Sequence, residues 1–444
     1  MNTRLRPHRP GRPGRRSRPA ANTVRTAGAL LAGLLAALLL VSCTGQSPDA
    51  SPAGASDAGT TPAAASRATA PAPAGTDPGA LTPVTAAALA APVPVTGTDG
   101  RVHLVYELLL TNTYSQPATI MSVTALAGER TLQRVRGSSL AAKFLVAGGG
   151  EGVTLAPGQQ GFLWLDPTVS SIDDVPERLQ HVLDVRFAQA TPPLVPRRLA
   201  EGVADVPVQS LEAVSIRSPL AGPRWLDGNG CCDVVTPHRA ALNPFHGALW
   251  APERFAIDFV RLDRRGRMFD GPEDRLSSYD YYGAPVRAVA DGPVVAVVDD
   301  LEEQTPGANP TGLPIEDYGG NHVVQDIGGG RYALYAHLQR GPTDGVAVGS
   351  DLRAGQLLGR LGNTGNTDVP HLHFHVMDSP DPLASNGLPY VVDTFDVEGR
   401  IASSADLDTF TGGGPAKFAP NGQTGPRTGE LPLFLDVLRF PDGS

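Results

Sequence analysis

The chain reads as mainly β, with two successive antiparallel β domains behind a long non-globular N-terminal segment, and three observations lead there. Short apolar stretches recur between turn residues across residues 93–212, among them Val102–Thr111, Ile120–Leu126, Gly161–Leu165 and Val182–Phe187, with Ala156-Pro157-Gly158 as a turn. Glycine-punctuated stretches continue the pattern beyond residue 213, at Gly292–Val298, Asn321–Gln325 and Arg331–Leu338. Finally, Leu372, Phe374 and Val376 alternate with His371, His373 and His375, the period of an extended strand with one apolar face.

Taken in order, residues 1–42 read as an export signal. Residues 1–26 hold eight arginines and no acidic residue, and the apolar run Ala27–Val41 that follows is too short to span a bilayer as a helix. Leu40-Val41-Ser42-Cys43 resembles a bacterial lipobox, which implies cleavage before Cys43 and a lipid on its sulfur. The expectation is an exported lipoprotein anchored at the outer face of the plasma membrane. Removing the eight arginines leaves 28 basic residues against 45 acidic, a net charge near −17, which argues against nucleic acid as a partner.

Residues 43–92 are almost entirely Ala, Pro, Ser, Thr, Gly and Asp, a composition that cannot bury enough apolar surface to offset chain entropy, so they read as a tether. Residues 93–212 are expected to form a small β-sandwich. Only His103 and His181 lie in it, without catalytic spacing. Residues 213–410 contain seven of the ten histidines, so any histidine chemistry belongs there. The tail, residues 411–444, is rich in Gly and Pro and is expected to wrap the surface. Cys231 and Cys232 are adjacent, and Cα atoms about 3.8 Å apart sit below the usual disulfide span.

A row of three histidines on one strand face has no structural use on a surface, whereas neutral imidazole is the commonest metal ligand and a general base near neutral pH. Asp258 is the second notable residue. In Arg254-Phe255-Ala256-Ile257-Asp258-Phe259-Val260 the apolar Phe255, Ile257 and Phe259 share a face and leave Asp258 on the other. A buried unpaired carboxylate is costly, so a cation partner is expected.

Several blocks then follow in order: Gly283-Ala284-Pro285-Val286, Gly320-Asn321-His322-Val323-Val324, Tyr335-Ala336-His337-Leu338, Gly362-Asn363-Thr364-Gly365 and Pro370-His371-Leu372-His373-Phe374. Together they resemble the LytM or lysostaphin type of M23 zinc metallopeptidases, over roughly residues 238–400. The resemblance implies an antiparallel β peptidase domain holding Zn2+, with His373 and Asp258 as ligands and His337 and His371 as catalytic histidines. It also implies peptidoglycan peptides as the substrate. In the commonest family pattern the first ligand is a histidine four positions before the aspartate, but position 254 here is arginine. The candidates are His238 and His246. His238 begins a stretch resembling long-spaced members of the family and is preferred, while His246 sits beside Gly247 in a turn-like segment. His322 reads as a strand residue and His375 as a residue lining the cleft.

Other histidine-rich metal folds fit less well. A cupin needs a further histidine downstream, and none follows His375; a metallo-β-lactamase needs Asp and His where the chain has His375 and Val376. The remaining alternative is a catalytically weak or inactive M23 domain that binds and activates another cell-wall hydrolase.

Overall fold

The computed structural model describes residues 81–341 and 345–442; the expected signal peptide, Cys43 and most of the expected tether lie outside the described residues. The first described unit is a sandwich of two antiparallel sheets. Its strands are β1 (Val84–Ala88), β2 (Tyr106–Asn112), β3 (Ala118–Ala127), β4 (Arg130–Arg136), β5 (Phe144–Val146), β6 (Gln160–Leu165), β7 (Arg178–Phe187) and β8 (Arg198–Pro207). One sheet runs β1-β2-β6-β5 and the other β8-β7-β3-β4. Leu108, Leu110, Leu163 and Leu165 from the first face Ile120, Val123, Leu183 and Phe187 from the second in one core. The alternation that marked these strands in the sequence is therefore the alternation of core and solvent.

One boundary moves. The expected tether reached residue 92, yet Val84–Ala88 pairs along its whole length with β2 and buries Val84. Alanine-rich composition hid an edge strand whose partner supplies most of the apolar surface.

The two histidines of this unit are structural, for opposite electrostatic reasons. His181 donates Nδ1–H to Ala204 O at 2.7 Å and so accepts from Tyr106 Oη at 2.5 Å, and burial pushes its pKa down to about 4. His103 lies between Asp166 at 2.9 Å and Asp99 at 3.1 Å. Burial alone would lower its pKa, but the two carboxylates outweigh burial and raise it from 6.5 to about 9. Because the folded value lies above the ordinary one, this contribution to stability is complete below about pH 6.5 and is lost as pH rises through about 9. His103→Gln should therefore lower the urea midpoint at pH 6 and match wild type at pH 10; an equal deficit at both would refute this account.

The second unit is built on an eleven-stranded antiparallel sheet. Its main strands are β9 (Gly222–Gly228), β10 (Ile257–Arg261), β11 (Gly292–Val298), β12 (Asn321–Asp326), β13 (Tyr332–Leu338), β14 (Leu372–Met377), β15 (Phe395–Arg400) and β16 (Asp436–Phe440). They lie side by side in the order β11-β12-β13-β14-β10-β9-β16-β15. One face carries the main core, where Ile257, Phe259, Tyr335, Leu372, Phe374 and Val376 meet. The other face of β10 and β14 carries Asp258, His373 and His375.

The tail does not wrap the surface as expected. Residues 436–440 pair with both β9 and β15, and Val437, Leu438 and Phe440 are buried. The Gly- and Pro-rich stretch before them is only the connection to an interior strand.

The units meet through apolar contacts, with Val95 and Val105 joining the second unit's core, and through polar ones. Arg254, which stands where the commonest family pattern has its first ligand, instead forms a buried pair with Glu107 of β2, Nη2 to Oε2 at 2.6 Å, and donates Nη1–H to Gly387 O. Thr98 donates to Asp436 of β16, and Lys143 pairs with Asp233 at 2.9 Å. Cys231 and Cys232 are joined as a disulfide across a cis peptide bond, with Cα atoms 3.1 Å apart, closer than the trans spacing assumed from sequence.

Candidate metal centre

Five residues converge on the face of β10 and β14 away from the main core. The register sets Asp258 directly opposite His373, so the two share a face of adjacent strands. Asp258 Oδ1 lies 3.0 Å from His373 Nδ1 and 3.2 Å from His371 Nε2, while Oδ2 lies 3.2 Å from His238 Nε2. The ring centroids of His337 and His371 are 4.5 Å apart. All five side chains are buried.

His238 reaches the centre from a one-turn helix, α1 (Pro237–Ala240), after a loop leaving β9. Thr236 caps it, accepting from Arg239 N at 3.3 Å, and Pro237 supplies the fixed φ of a first helical position. Thr236 also donates to Asn229 O at 2.7 Å, which ties the helix to the end of β9. Asn229 in turn donates Nδ2–H to Asp258 Oδ2 at 2.8 Å. His246 is not brought in. It sits at φ 52° in the turn of a hairpin, its side chain 73% exposed and its nearest carboxylate Asp381 at 3.8 Å.

His337 departs from strand alternation. Tyr335 faces the main core and Leu338 does too, whereas His337 has φ 58° and turns toward His371 and His373. Its Nδ1–H donates to Thr364 O at 2.7 Å. That carbonyl explains a glycine in the sequence blocks: at Gly320, φ 60°, a Cβ would stand 2.1 Å from Thr364 O. The segment 299–318 braces the same loop from outside, through Gln304 N to Asn363 O at 2.7 Å and Gly307 N to Asp368 O at 2.7 Å.

Hydrogen bonds fix which nitrogen of each ring faces inward. His238, His337 and His371 donate Nδ1–H to Ala256 O, Thr364 O and Val369 O, so each turns Nε2 inward. Two Nε2 lone pairs, on His238 and His371, thus face the Asp258 carboxylate at 3.2 Å. Lone pairs directed at an anion need protons or a cation between them. Burial alone would raise the Asp258 pKa, but His238 and His371 outweigh it and hold the carboxyl well below its usual range. Burial would lower His238, and Asp258 outweighs that to raise it to about 9. His337 is held well below 6.5 by burial and by repulsion from His371 and His373.

The donor set fits zinc. Tetrahedral Zn2+ with bonds of about 2.0–2.1 Å places its ligand atoms about 3.3 Å apart. Asp258 Oδ1 stands 3.0 Å from His373 Nδ1, close to that edge, and the other carboxylate oxygen, Oδ2, stands 3.2 Å from His238 Nε2. His238, Asp258 and His373 offer three ligand atoms mutually within 4.8 Å, and His337, His371 and His373 form a second such group sharing His373. A third group, His103, Asp166 and Cys232, offers no thiolate because Cys232 is in the disulfide.

His322 donates Nδ1–H to Gly320 O and stays on β12, as a strand residue would. His375 does not line a cleft: it is 1% exposed, beneath His373. Sequence reasoning passed over Asn229 and Thr236. Both lie in a loop whose conformation, including φ 57° at Asn229, carries no periodic signal.

Residues 278–385 match the family described as Peptidase family M23. The match contains His337, His371 and His373 and begins after His238 and Asp258. A stretch of 111 residues is 35% identical to the glycyl-glycine endopeptidase ALE-1 of Staphylococcus capitis, covering 24% of this chain and 26% of that protein. Among solved structures, the catalytic domain of lysostaphin from Staphylococcus simulans aligns at 21% identity and TM-score 0.20, covering 36% of this chain and 84% of its own. A mutant catalytic domain of the M23 protein EnpA from Enterococcus faecalis aligns at 18% identity and TM-score 0.22, covering 40% and 93%. With its antiparallel sheet and the ordered blocks within residues 278–385, the chain carries a domain of peptidase family M23.

Proposed function

We propose that the protein is a zinc metalloendopeptidase that hydrolyses peptide bonds in peptidoglycan, with His238, Asp258 and His373 as metal ligands and His337 and His371 as catalytic residues. The observation that carries the reading is the inward pair of Nε2 lone pairs converging with His373 Nδ1 on one buried carboxylate. Three protein ligands leave a position open, the arrangement of catalytic rather than structural zinc. Bound there, zinc would supply Lewis acidity to the scissile carbonyl and lower the pKa of a water beside it.

The chain's own residues do the rest. His337 and His371 have committed Nδ1–H to carbonyls, so each has only Nε2 for proton transfer. One accepts the proton that the attacking water gives up, and the other, when protonated, donates to the developing oxyanion or the leaving amine. The carbonyl acceptors keep both rings in that orientation through the reaction.

Peptidoglycan enters through the family and through a relative named as a glycyl-glycine endopeptidase. Export and a lipid on Cys43 would hold the domain at the outer face of the plasma membrane, where that substrate lies. The test is release of soluble muropeptides from purified peptidoglycan by the full chain, alongside His337→Ala and His373→Ala. Chelation should abolish release and added zinc restore it. His373→Ala should lose zinc and activity, and His337→Ala activity alone. Zinc binding without release by wild type would move the protein to the binding and activating class.

A further inference from the structure

His375 is the one histidine of the row that the proposed mechanism does not use, yet it is among the most buried polar side chains of the protein. Its Nδ1 lies 2.9 Å from His373 Nε2, and its own Nε2 is buried with no hydrogen-bond partner among the described residues. The register places Leu334 opposite it and Ala336 opposite His373, in a small apolar cluster with Val324 and Met377. An imidazole there, with one nitrogen unsatisfied, is a poor filler, since an apolar side chain would leave no polar atom bare.

The other four site side chains explain what it does. His238, His337 and His371 each turn Nε2 inward because a backbone carbonyl accepts Nδ1–H. Asp258 is oriented by Asn229. His373 is reversed: Nδ1 faces Asp258 Oδ1, so a cation at Nδ1 requires the proton on Nε2. The partner the structure gives that N–H is His375 Nδ1, where the neighbouring histidines use a carbonyl.

We infer that His375 is a positioning residue, accepting Nε2–H of His373 through Nδ1 and thereby fixing the tautomer and ring plane in which His373 offers Nδ1 to the metal. The inference rests on the zinc reading above and adds a residue to it. Partners of this kind typically change metal affinity 10- to 100-fold when removed. Their chemistry here demands only an acceptor at the right height, so an amide oxygen should serve.

The experiment uses the full chain as wild type, His375→Leu and His375→Asn, with zinc affinity read by competition against a chromophoric chelator. His375→Leu should bind zinc about 10- to 100-fold more weakly. His375→Asn, whose Oδ1 takes the place of Nδ1, should recover most of the loss. Equal affinity in wild type and His375→Leu overturns the inference, as does a loss in His375→Asn as large as in His375→Leu. Should His375→Leu fail to fold, 15N-histidine spectra of zinc-loaded wild type decide: His373 must carry its proton on Nε2 and His375 must be bare at Nδ1, and a proton on His375 Nδ1 overturns the proposal. Wild type that binds no zinc would instead sink the metal site itself, a distinguishable failure.

Discussion

Replacement of Asp258 by asparagine is expected to remove zinc and peptide-bond hydrolysis together while leaving the sheet intact. The side chain is nearly isosteric and keeps its place opposite His373, so β10 and β14 lose no packing. What disappears is the only negative charge among the three proposed ligands. Two unit charges about 4 Å apart are worth about 4 kcal/mol at an effective dielectric of about 20, so loss of a carboxylate beside a dication should lower zinc affinity by about 10³-fold or more. Equilibrium dialysis against a zinc buffer measures this directly. Retained zinc in Asp258→Asn would show that the metal sits instead with His337, His371 and His373, the second group of mutually close nitrogens.

Much of this centre was legible because strand periodicity is a strong signal. The alternation Leu372, Phe374, Val376 against His371, His373, His375 places each set on the face it occupies, and Asp258 stands out as one acid in an apolar strand. Side chains delivered by loops were less legible. Between His238 and Asp258 lie a capped helical turn, a hairpin and the Arg254–Glu107 pair, none of which changes the periodicity of β10. The resemblance to long-spaced family members favoured His238, and turn chemistry set His246 aside, which beside Gly247 occupies a left-handed turn position.

The misreadings have a common cause, since composition was allowed to overrule pairing. Val84–Ala88 is too alanine-rich to look like a strand and Asp436–Phe440 follows a Gly- and Pro-rich stretch, yet each is held by partners distant in sequence. Their β structure is a property of β2, β9 and β15 as much as of their own residues. His375 was misplaced for a related reason. Alternation gave it the correct face, but depth along that face depends on Leu334 and Val324, which belong to other strands.

Position 337 offers the sharpest separation of activity from stability. His337→Ala and His337→Gly should both lower turnover by about 10²–10⁴-fold, the usual worth of a proton-transferring side chain, and both should keep zinc because His337 is not a proposed ligand. They should differ in stability, and in the unusual direction. Within a strand, glycine is ordinarily less stable than alanine by about 0.5–1 kcal/mol because it loses more backbone entropy on folding. His337 has φ 58°, a conformation that costs a residue bearing a Cβ roughly 1–3 kcal/mol and costs glycine almost nothing. His337→Gly should therefore unfold at higher denaturant than His337→Ala, reversing the normal order. If alanine proved the more stable, the left-handed turn would not be what swings this ring out of the core. If the order is reversed as expected, backbone strain is the means by which the last residues of β13 send Leu338 into the core and His337 toward His371 and His373.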